Sequence, residues 1–172
     1  SVMAHTSGMT QELQDGLPQI GDVAQFKYNY FKFSLDDNST FTVTLTPIDG
    51  DPDVVVATNT HTPTRDTAQW YSAGGSIDLV TIANTDPDFR EGADYYIGVY
   101  GWSAAKYEIT VTKQNSIAQI TEGVPHGGRA ERFKYEYFKF TLSAPRGVFI
   151  TVTTLLDGAD PDIYVSTVHE RP

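Results

Sequence analysis

The sequence predicts an all-β protein built from antiparallel β-sandwiches of the jelly-roll or immunoglobulin-like type. Several segments alternate apolar and polar residues with the period of two that a strand buried on one face requires. No segment has the period of about 3.6 residues that marks an amphipathic helix. An aromatic segment of the first half also returns 107 residues later, which indicates two tandem copies of one domain.

The first predicted strands are rich in aromatic residues. Residues 26–30 alternate aromatic and polar side chains, but residues 31–35 continue the alternation on the opposite parity. Because one extra residue exchanges the two faces of a strand, we expect a β-bulge or a bend near Tyr30 and Phe31. Residues 41–46 then alternate Phe, Val and Leu with Thr, which predicts a further strand.

The remaining strands of the first copy follow the same logic. The run Val54–Val56 is continuously apolar, as expected for a strand that is covered on both faces or that crosses between sheets. Beyond a long polar connection, strand character resumes over residues 77–82, 95–99 and 107–112. A total of about seven strands is typical of a β-sandwich.

Two aromatic segments define the repeat: Phe-Lys-Tyr-Asn-Tyr-Phe-Lys-Phe at 26–33 and Phe-Lys-Tyr-Glu-Tyr-Phe-Lys-Phe at 133–140. The offset has grown to 109 at the Asp-Pro-Asp triplets of residues 51–53 and 160–162, which indicates two single-residue insertions. The sequence therefore divides into a flexible lead-in (1–11), a first sandwich (12–113), a short linker (114–117) that keeps the copies close together, and the N-terminal part of a second sandwich (118–172).

The second copy is predicted to be incomplete. Pro172 aligns with Pro63, so about three strands of the sandwich have no counterpart. A half-sandwich exposes its core face and a free strand edge, and both promote association. We expect either that the chain continues beyond Pro172 or that another chain supplies the missing strands.

Composition restricts the partners and the chemistry. The formal net charge of −10 argues against nucleic acid and against anionic membrane surfaces. No stretch approaches the roughly 20 apolar residues of a membrane-spanning helix, so no membrane insertion is predicted. The absence of cysteine excludes a disulfide framework, a thiolate zinc site and a cysteine nucleophile. Asn38 begins an Asn-Ser-Thr sequon and is the candidate glycosylation site.

An acidic turn precedes the same apolar strand in both copies. Calcium binds six to eight oxygen ligands, so the aspartates of these turns are candidate metal ligands: Asp49, Asp51 and Asp53 in the first copy, and Asp157, Asp160 and Asp162 in the second. The alternative is that aspartates before glycine and proline cap the turn through their own backbone.

A calcium site at this turn cannot be an EF-hand. The sixth loop position holds Val54 where an EF-hand needs glycine, and the twelfth holds Thr60 where it needs glutamate. Further ligands must therefore come from other parts of the chain, and the candidates are Glu12, Asp15, Asp36 and Asp37.

Four aromatic residues are candidates for ligand binding. Trp and Tyr combine a flat apolar ring with a polar tip, so a platform for sugar rings or a peptide is predicted from Trp70, Tyr71, Tyr100 and Trp102. The alternative is that these residues close the ends of the sandwich core.

Catalytic patterns are missing from the sequence. The four histidines (His5, His61, His126 and His169) lack the spacing of a zinc protease motif, and the sequence contains no Gly-x-Ser-x-Gly elbow and no glycine-rich phosphate loop. We therefore predict that this chain is not an enzyme.

The order of motifs resembles the bacterial pre-peptidase C-terminal domain, which is related to collagenase collagen-binding domains. The resemblance lies in four stretches of the first copy, and part of it recurs in the second: residues 15–18, 30–33, 50–56 and 94–111. It implies a secreted, non-catalytic sandwich that binds calcium in some relatives and extracellular matrix or polysaccharide in others.

The predicted function is a secreted or cell-surface binding, adhesion or assembly module, with calcium stiffening the acidic loop. Its partners are an extracellular protein or polysaccharide, or further copies of the chain. Two alternatives remain open: an accessory C-terminal domain of a secreted protease or glycosidase, and a structural subunit of an extracellular filament.

Overall fold

A computed structural model of the chain describes residues 10–130, 132–154 and 158–172. Within these residues the secondary structure consists of strands and turns without a helix, which confirms the predicted all-β class. The described part accordingly offers no helix that is long and apolar enough to cross a membrane. Most of the predicted lead-in, residues 1–9, lies outside the described residues.

Ten of the eleven strands in the described residues lie between residues 11 and 119, and the eleventh follows at 137–139. Their bounds are Gln11–Glu12 (β1), Gln19–Val23 (β2), Tyr28–Ser34 (β3), Phe41–Asp49 (β4), Pro52–Ala57 (β5), Trp70–Ser72 (β6), Asp78–Ile82 (β7), Asp94–Gly101 (β8), Ala105–Lys113 (β9), Ile117–Gln119 (β10) and Tyr137–Lys139 (β11). Three strands of the first copy, β1, β2 and β6, match no predicted strand. Strands β1 and β6 are too short to alternate visibly, and β2 lies in a stretch whose glycines and proline indicate turns.

Two sheets form the sandwich. One has the strand order β1-β3-β8-β5-β6, and the other has the order β2-β9-β4-β7. All neighbours in these two sheets are antiparallel except β1 and β3. The consecutive strands β8 and β9 each occupy the interior of a different sheet, so the turn between them crosses from one layer to the other.

The core lies between the sheets and is lined by alternate residues of their strands. Its largest fully buried side chains include Phe41, Tyr95 and Tyr107. Burial of one aromatic or branched side chain contributes roughly 1.5–3 kcal/mol to the free energy of folding, so the buried side chains between the two sheets are the main source of the stability of the sandwich. Both tyrosine hydroxyls are hydrogen-bonded: Tyr95 donates to the Arg90 carbonyl at 3.1 Å, and Tyr107 lies 3.0 Å from the Asn29 amide nitrogen.

The expected bulge near Tyr30 and Phe31 is wrong. Strand β3 pairs with β8 from Tyr28 to Ser34 without a shift in register. The two parities instead occupy the two faces of one regular strand: the odd-numbered Phe31 and Phe33 are buried in the core, whereas Tyr28 and Tyr30 are half-buried on the outer face. The irregularity occurs in β4, between Pro47 and Asp49, where the pairing with β9 shifts.

Strand β5 is buried along its whole length, as the continuous apolar run predicts. Its inner face contacts the core, and the connection over residues 58–69 covers the outer face of the sheet. At Gly98, on the neighbouring strand β8, a Cβ atom would lie 2.9 Å from the Pro63 carbonyl oxygen and 2.9 Å from Val55. Glycine is therefore required where the connection crosses the sheet.

Residues beyond 113 contact the four-stranded sheet. His126 Nδ1 lies 3.2 Å from Glu108 Oε1, and both side chains are almost completely buried. The linker itself is fastened to the first copy, because Asp15 accepts hydrogen bonds from the Lys113 amide at 2.8 Å and the Ser116 hydroxyl at 2.6 Å. The division into two domains remains a prediction from the sequence.

Candidate functional site

The acidic turn carries the chain from one sheet to the other. It connects β4 of the four-stranded sheet to β5 of the five-stranded sheet. Gly50 adopts a φ of 75°, and a Cβ atom there would clash with the Ala104 carbonyl oxygen. Asp49 Oδ1 accepts a hydrogen bond from the Gly50 amide at 3.0 Å, so Asp49 performs the turn-capping role that aspartate favours.

The other two aspartates of the turn differ in burial. Asp51 binds the turn between β8 and β9: its amide donates to Ser103 Oγ at 2.9 Å, and its carbonyl accepts from the Trp102 amide at 3.0 Å. Asp53 is buried in β5. Burial raises the pKa of the Asp53 carboxyl, and the negative charge of Asp51 raises this pKa further.

A fourth aspartate, which no sequence pattern singles out, completes this acidic region. Asp78 opens β7 with only 3% of its surface exposed, and its Oδ1 accepts a hydrogen bond from the Ser72 hydroxyl at 2.6 Å. Its Oδ2 is buried and finds no hydrogen-bond partner among the described residues. Burial raises the pKa of Asp78 to about 6, with smaller contributions in the same direction from the charges of Asp53 and Asp51.

These carboxylates do not form a ready-made calcium shell. Across the described ranges 10–130, 132–154 and 158–172, no three side chains from His, Asp or Glu lie close enough together to share a metal ion. In the second copy Asp160 and Asp162 are exposed, and Asp157 lies outside the described residues.

The four additional ligand candidates are engaged elsewhere. Asp36 and Asp37 both accept hydrogen bonds from the Lys113 ammonium. This contact lowers the pKa of Asp36, whereas the pKa of Asp37 is lowered first by its hydrogen bond with Ser39 and then by Lys113. Asp15 binds the linker, as described above, and Glu12 lies 3.8 Å from the Lys32 ammonium on the edge strand β1.

The four predicted aromatic residues occupy three different environments. Trp70 packs against the core, with its ring centroid 6.0 Å from that of Tyr95, and its indole N–H donates to Asp86 at 3.2 Å. Trp70 therefore closes one end of the sandwich core, as the alternative prediction has it. Tyr71 and Tyr100 face outward on the five-stranded sheet and line one small pocket. Trp102 lies in the β8–β9 turn and is 60% exposed.

The pocket, called the tyrosine pocket below, is lined mainly by Tyr28, Tyr71, Tyr100, Asp53 and Arg65. The rings of Tyr28 and Tyr100 lie 4.8 Å apart between centroids, on directly paired positions of β3 and β8. The Arg65 guanidinium lies over the Tyr71 ring at 5.0 Å, and the Arg65 amide donates to the Tyr28 hydroxyl at 3.3 Å. The pocket thus combines aromatic faces with one cation and one buried carboxyl.

A second aromatic group adjoins this pocket. Phe26 and Trp102 are both 60% exposed and meet edge to face at 6.5 Å. They stand two residues beyond the paired Tyr28 and Tyr100, at the end of the same ladder. Phe26 holds a φ of 59°, a conformation that costs a bulky residue of order 1–3 kcal/mol.

Three members of this aromatic region are not recognisable as site residues from the sequence. The sequence pattern indicates a packing role for Tyr28 and only a strand position for Phe26. Arg65 stands in a polar connection with no pattern around it. The outward position of Tyr28 could be inferred from its place in the alternation, which is opposite to that of the buried Phe31. The positive φ of Phe26 has no signature in the sequence.

The remaining predicted site residues have simpler surroundings. Asn38 is exposed in the bend between β3 and β4, where its carbonyl accepts a hydrogen bond from Asn84 at 2.9 Å. His61 stacks on Tyr96 at 4.3 Å between ring centroids. The backbone amide of His169 donates to Ser166 Oγ at 2.8 Å.

Comparison with known proteins identifies similar folds only. No family model and no curated protein matches the sequence. The fold is similar to the pre-peptidase C-terminal domain of a collagenase from Bacillus anthracis, with 11% identity, a TM-score of 0.48, and coverage of 63% of this chain and 100% of that domain. It is also similar to PliG, a periplasmic inhibitor of g-type lysozyme from Aeromonas hydrophila, with 14% identity, a TM-score of 0.47, and coverage of 61% and 96%.

Membership of the pre-peptidase C-terminal family therefore remains a prediction from the sequence motifs. One sandwich serves many unrelated activities, so the function is argued below from the residues of this chain.

Proposed function

We propose that this chain is a non-catalytic, secreted or cell-surface binding module that holds an extended protein or polysaccharide on its aromatic region. The observation that supports the proposal is the exposed Phe26–Trp102 pair, which lies two residues along the chain from Tyr28 and Tyr100 of the tyrosine pocket. Exposed rings of this kind stack on the apolar faces of sugars and on peptide side chains.

The shape of the region favours a long ligand over a small one. The tyrosine pocket has room for about one water molecule, so it accepts a single group and not a whole metabolite. The Phe26–Trp102 pair adds two exposed rings at the end of the β3–β8 ladder. A polymer that lies across the pocket and the ring pair inserts one group into the pocket, and the neighbouring groups of the polymer pack on the exposed rings.

The charges around the pocket define its polar contacts. Arg65 and Asp53 stand on the pocket wall, where they hydrogen-bond to hydroxyl or amide groups of a ligand. The net charge of −10 makes a polyanion such as nucleic acid an unfavourable partner. A neutral or basic polymer is therefore the expected ligand class.

The binding proposal is tested by co-sedimentation with a panel of insoluble matrix proteins and polysaccharides. We expect wild type to bind at least one polymer, and the double variant Tyr71→Ala with Trp102→Ala to bind it at least about tenfold more weakly, because exposed aromatic anchors dominate such interfaces. The matched control is Ile20→Ala, an exposed apolar residue on the other sheet. Equal binding by the double variant, or no binding to any polymer, contradicts the proposal.

Calcium binding at the acidic turn also remains a proposal. What supports it is the mutual repulsion of Asp51, Asp53 and Asp78, which adds to burial in raising the pKa of Asp53 and Asp78 and which a divalent cation relieves; the remaining ligands must come from other parts of the chain. The test is thermal unfolding with calcium and with a chelator, since a ligand bound to the folded state at a hundredfold excess over its Kd adds about 2.7 kcal/mol. An unchanged Tm at millimolar calcium contradicts it.

A further inference from the structure

Three side chains of the tyrosine pocket stand in one row across the outer face of the five-stranded sheet. Tyr28 of β3 pairs with Tyr100 of β8, and Tyr100 in turn pairs with Asp53 of β5. Side chains at directly paired positions share a face and have Cβ atoms about 4.5–5.5 Å apart. The Asp53 carboxyl group therefore stands beside the Tyr100 ring in the wall of the pocket.

The Asp53 side chain is buried without a partner. Only 8% of its surface is exposed, and its carboxyl group forms no hydrogen bond and no ion pair with any other residue that the structure describes. A buried carboxyl group is ordinarily paired or hydrogen-bonded, because its desolvation is otherwise uncompensated. An unpaired carboxyl group that lines a pocket points to a partner on the ligand.

Arg65 also lines the pocket, but it does not neutralise this carboxyl group. The Arg65 guanidinium lies over the Tyr71 ring, 5.0 Å from its centroid. Burial and then the charge of Asp51 raise the pKa of Asp53, and together they outweigh the opposite effect of Arg65. Asp78 adds a further carboxyl group that interacts with Asp53 and Asp51. The surroundings of the pocket therefore carry more negative than positive charge.

We propose that the tyrosine pocket receives the ammonium group of a lysine side chain, so that the polymer held on the aromatic region is a lysine-bearing protein segment. This inference rests on the proposed function and specifies its ligand. The ammonium group pairs with the Asp53 carboxylate, and the rings of Tyr28, Tyr71 and Tyr100 surround the cation and its methylene stem. Tyrosine faces attract cations, and lysine stems pack on apolar surfaces.

The size of the pocket favours lysine over other cationic groups. The pocket has room for about one water molecule, and an ammonium group is a compact charge of about that size. The guanidinium of arginine is a larger planar group. The amine of an amino sugar is attached directly to a bulky ring, whereas lysine carries its ammonium group on a flexible four-carbon stem that enters a narrow opening.

The Phe26–Trp102 pair adds a second requirement on the ligand. Both rings are 60% exposed and stand two residues along the chain from Tyr28 and Tyr100. An extended peptide places every second side chain on one face. We therefore expect an apolar side chain two positions from the lysine to pack on these rings.

The test is an NMR titration of the full chain with the peptide Gly-Ser-Leu-Ser-Lys-Ser-Leu-Ser-Gly, blocked at both ends, in a buffer with a chelator that removes competing divalent cations. We expect the peptide with acetyl-lysine to bind at least about tenfold more weakly, because it lacks the charge. The peptide with arginine is expected to bind at least about fivefold more weakly, because its cation is too large for the pocket.

Asp53→Asn is the variant that removes the partner of the ammonium group. We expect it to bind the lysine peptide at least about tenfold more weakly. The matched control is Asp88→Asn, which removes the same charge from an exposed position in the turn before β8 and is expected to change binding by less than about twofold. Because burial raises the pKa of Asp53, we expect the Tm of Asp53→Asn to be no lower than that of wild type.

A second measurement uses wild type alone and does not depend on how a variant folds. Saturation-transfer difference NMR with irradiation of the aromatic protons of the protein is expected to give stronger transfer to the lysine ε-methylene protons than to the lysine β-methylene protons. The ε-methylene group adjoins the ammonium and lies deepest between the pocket rings. The opposite gradient along the side chain overturns the proposal.

Three further outcomes also overturn the lysine proposal: no binding of the lysine peptide, equal or tighter binding of the arginine peptide, and equal effects of Asp53→Asn and Asp88→Asn. Tighter, Asp53-dependent binding of a glucosamine oligomer overturns it as well, since the ammonium group then comes from an amino sugar. Co-sedimentation separates this failure from that of the binding function. A polymer that requires Tyr71 and Trp102 but not Asp53 refutes only the lysine, whereas a wild type that binds no polymer refutes the binding function itself.

Discussion

Asp78→Asn is the substitution that most directly tests the electrostatics of the acidic region. The Asp78 carboxyl is buried, its Oδ2 finds no hydrogen-bond partner in the described part of the chain, and its pKa is raised to about 6, first by burial and then by the charges of Asp53 and Asp51. Asparagine is nearly isosteric and uncharged, and its carbonyl still accepts the hydrogen bond from Ser72. The substitution therefore removes the buried charge and keeps the local geometry.

The magnitude follows from proton linkage. A pKa of about 6 against the ordinary 3.8 corresponds to about 3 kcal/mol of lost stability at pH 7, where the folded protein carries the buried charge. Because the folded-state pKa is the higher one, the contribution to stability is complete below about pH 3.8 and is lost as the pH rises through 6. The Asp78→Asn variant also lacks the charge-assisted part of the Ser72 hydrogen bond, so we expect a net gain of about 1–3 kcal/mol at pH 7.

Urea unfolding at pH 5, 6, 7 and 8 measures this gain as a difference from wild type. We expect the difference to be constant from pH 8 to pH 7, to be clearly smaller at pH 5, and to vanish below about pH 3.8, because the folded wild type binds the proton below about pH 6 and the unfolded chain binds it only below about pH 3.8. Asp49→Asn is the control, because Asp49 is exposed in the same turn and its replacement is expected to change stability by less than about 0.5 kcal/mol. A pH-independent difference, or a less stable variant at pH 7, refutes the reasoning.

Two further substitutions test the turn and the contact between the copies. Gly50 has a φ of 75°, and an alanine Cβ atom there clashes with Ala104; Gly92 has a φ of 66° and open space around its Cβ position. We therefore expect Gly50→Ala to lower the free energy of unfolding in urea by about 1–3 kcal/mol more than Gly92→Ala does. Equal losses in the two variants contradict the clash. His126→Ala removes the side chain that pairs with the buried Glu108 carboxyl group, and we expect it to lower stability by about 1–3 kcal/mol in thermal unfolding. The double variant with Glu108→Gln is expected to recover part of this loss. An unchanged Tm in the single variant contradicts the pairing.

The strand content of this protein is accessible from local patterns, but one detail is not. The alternation over residues 41–46 and the apolar run Val54–Val56 both form strands, and the apolar residues of each are buried as expected. Thr44 and Thr46 are buried as well, which the alternation does not predict. The parity change after Tyr30 predicts a bulge, because a sequence does not distinguish a strand that changes faces from one with aromatic residues on both. Strand β3 pairs with β8 without a shift in register, so its aromatic residues lie on both faces of one regular strand.

The candidate site is predictable only in part. Tyr71 and Tyr100 are identified by residue type, and the structure places them in one pocket. Arg65 and Tyr28 join them because the connection over residues 58–69 folds back across the sheet. Asp78 approaches the acidic turn because β7 follows β6 from one sheet into the other, a path that no spacing of aspartates announces.

By itself the sequence determined the all-β class, the position of the acidic turn and the self-similarity at 107 residues, because each depends on a pattern that is local or directly repeated. Only the tertiary structure decided that β8 and β9 occupy the interiors of two different sheets, which rings reach the surface, and that Asp78 is buried. These features depend on pairing between residues far apart in the chain. The energy of such pairing comes from cross-strand packing and burial, which the order of neighbouring residues does not record.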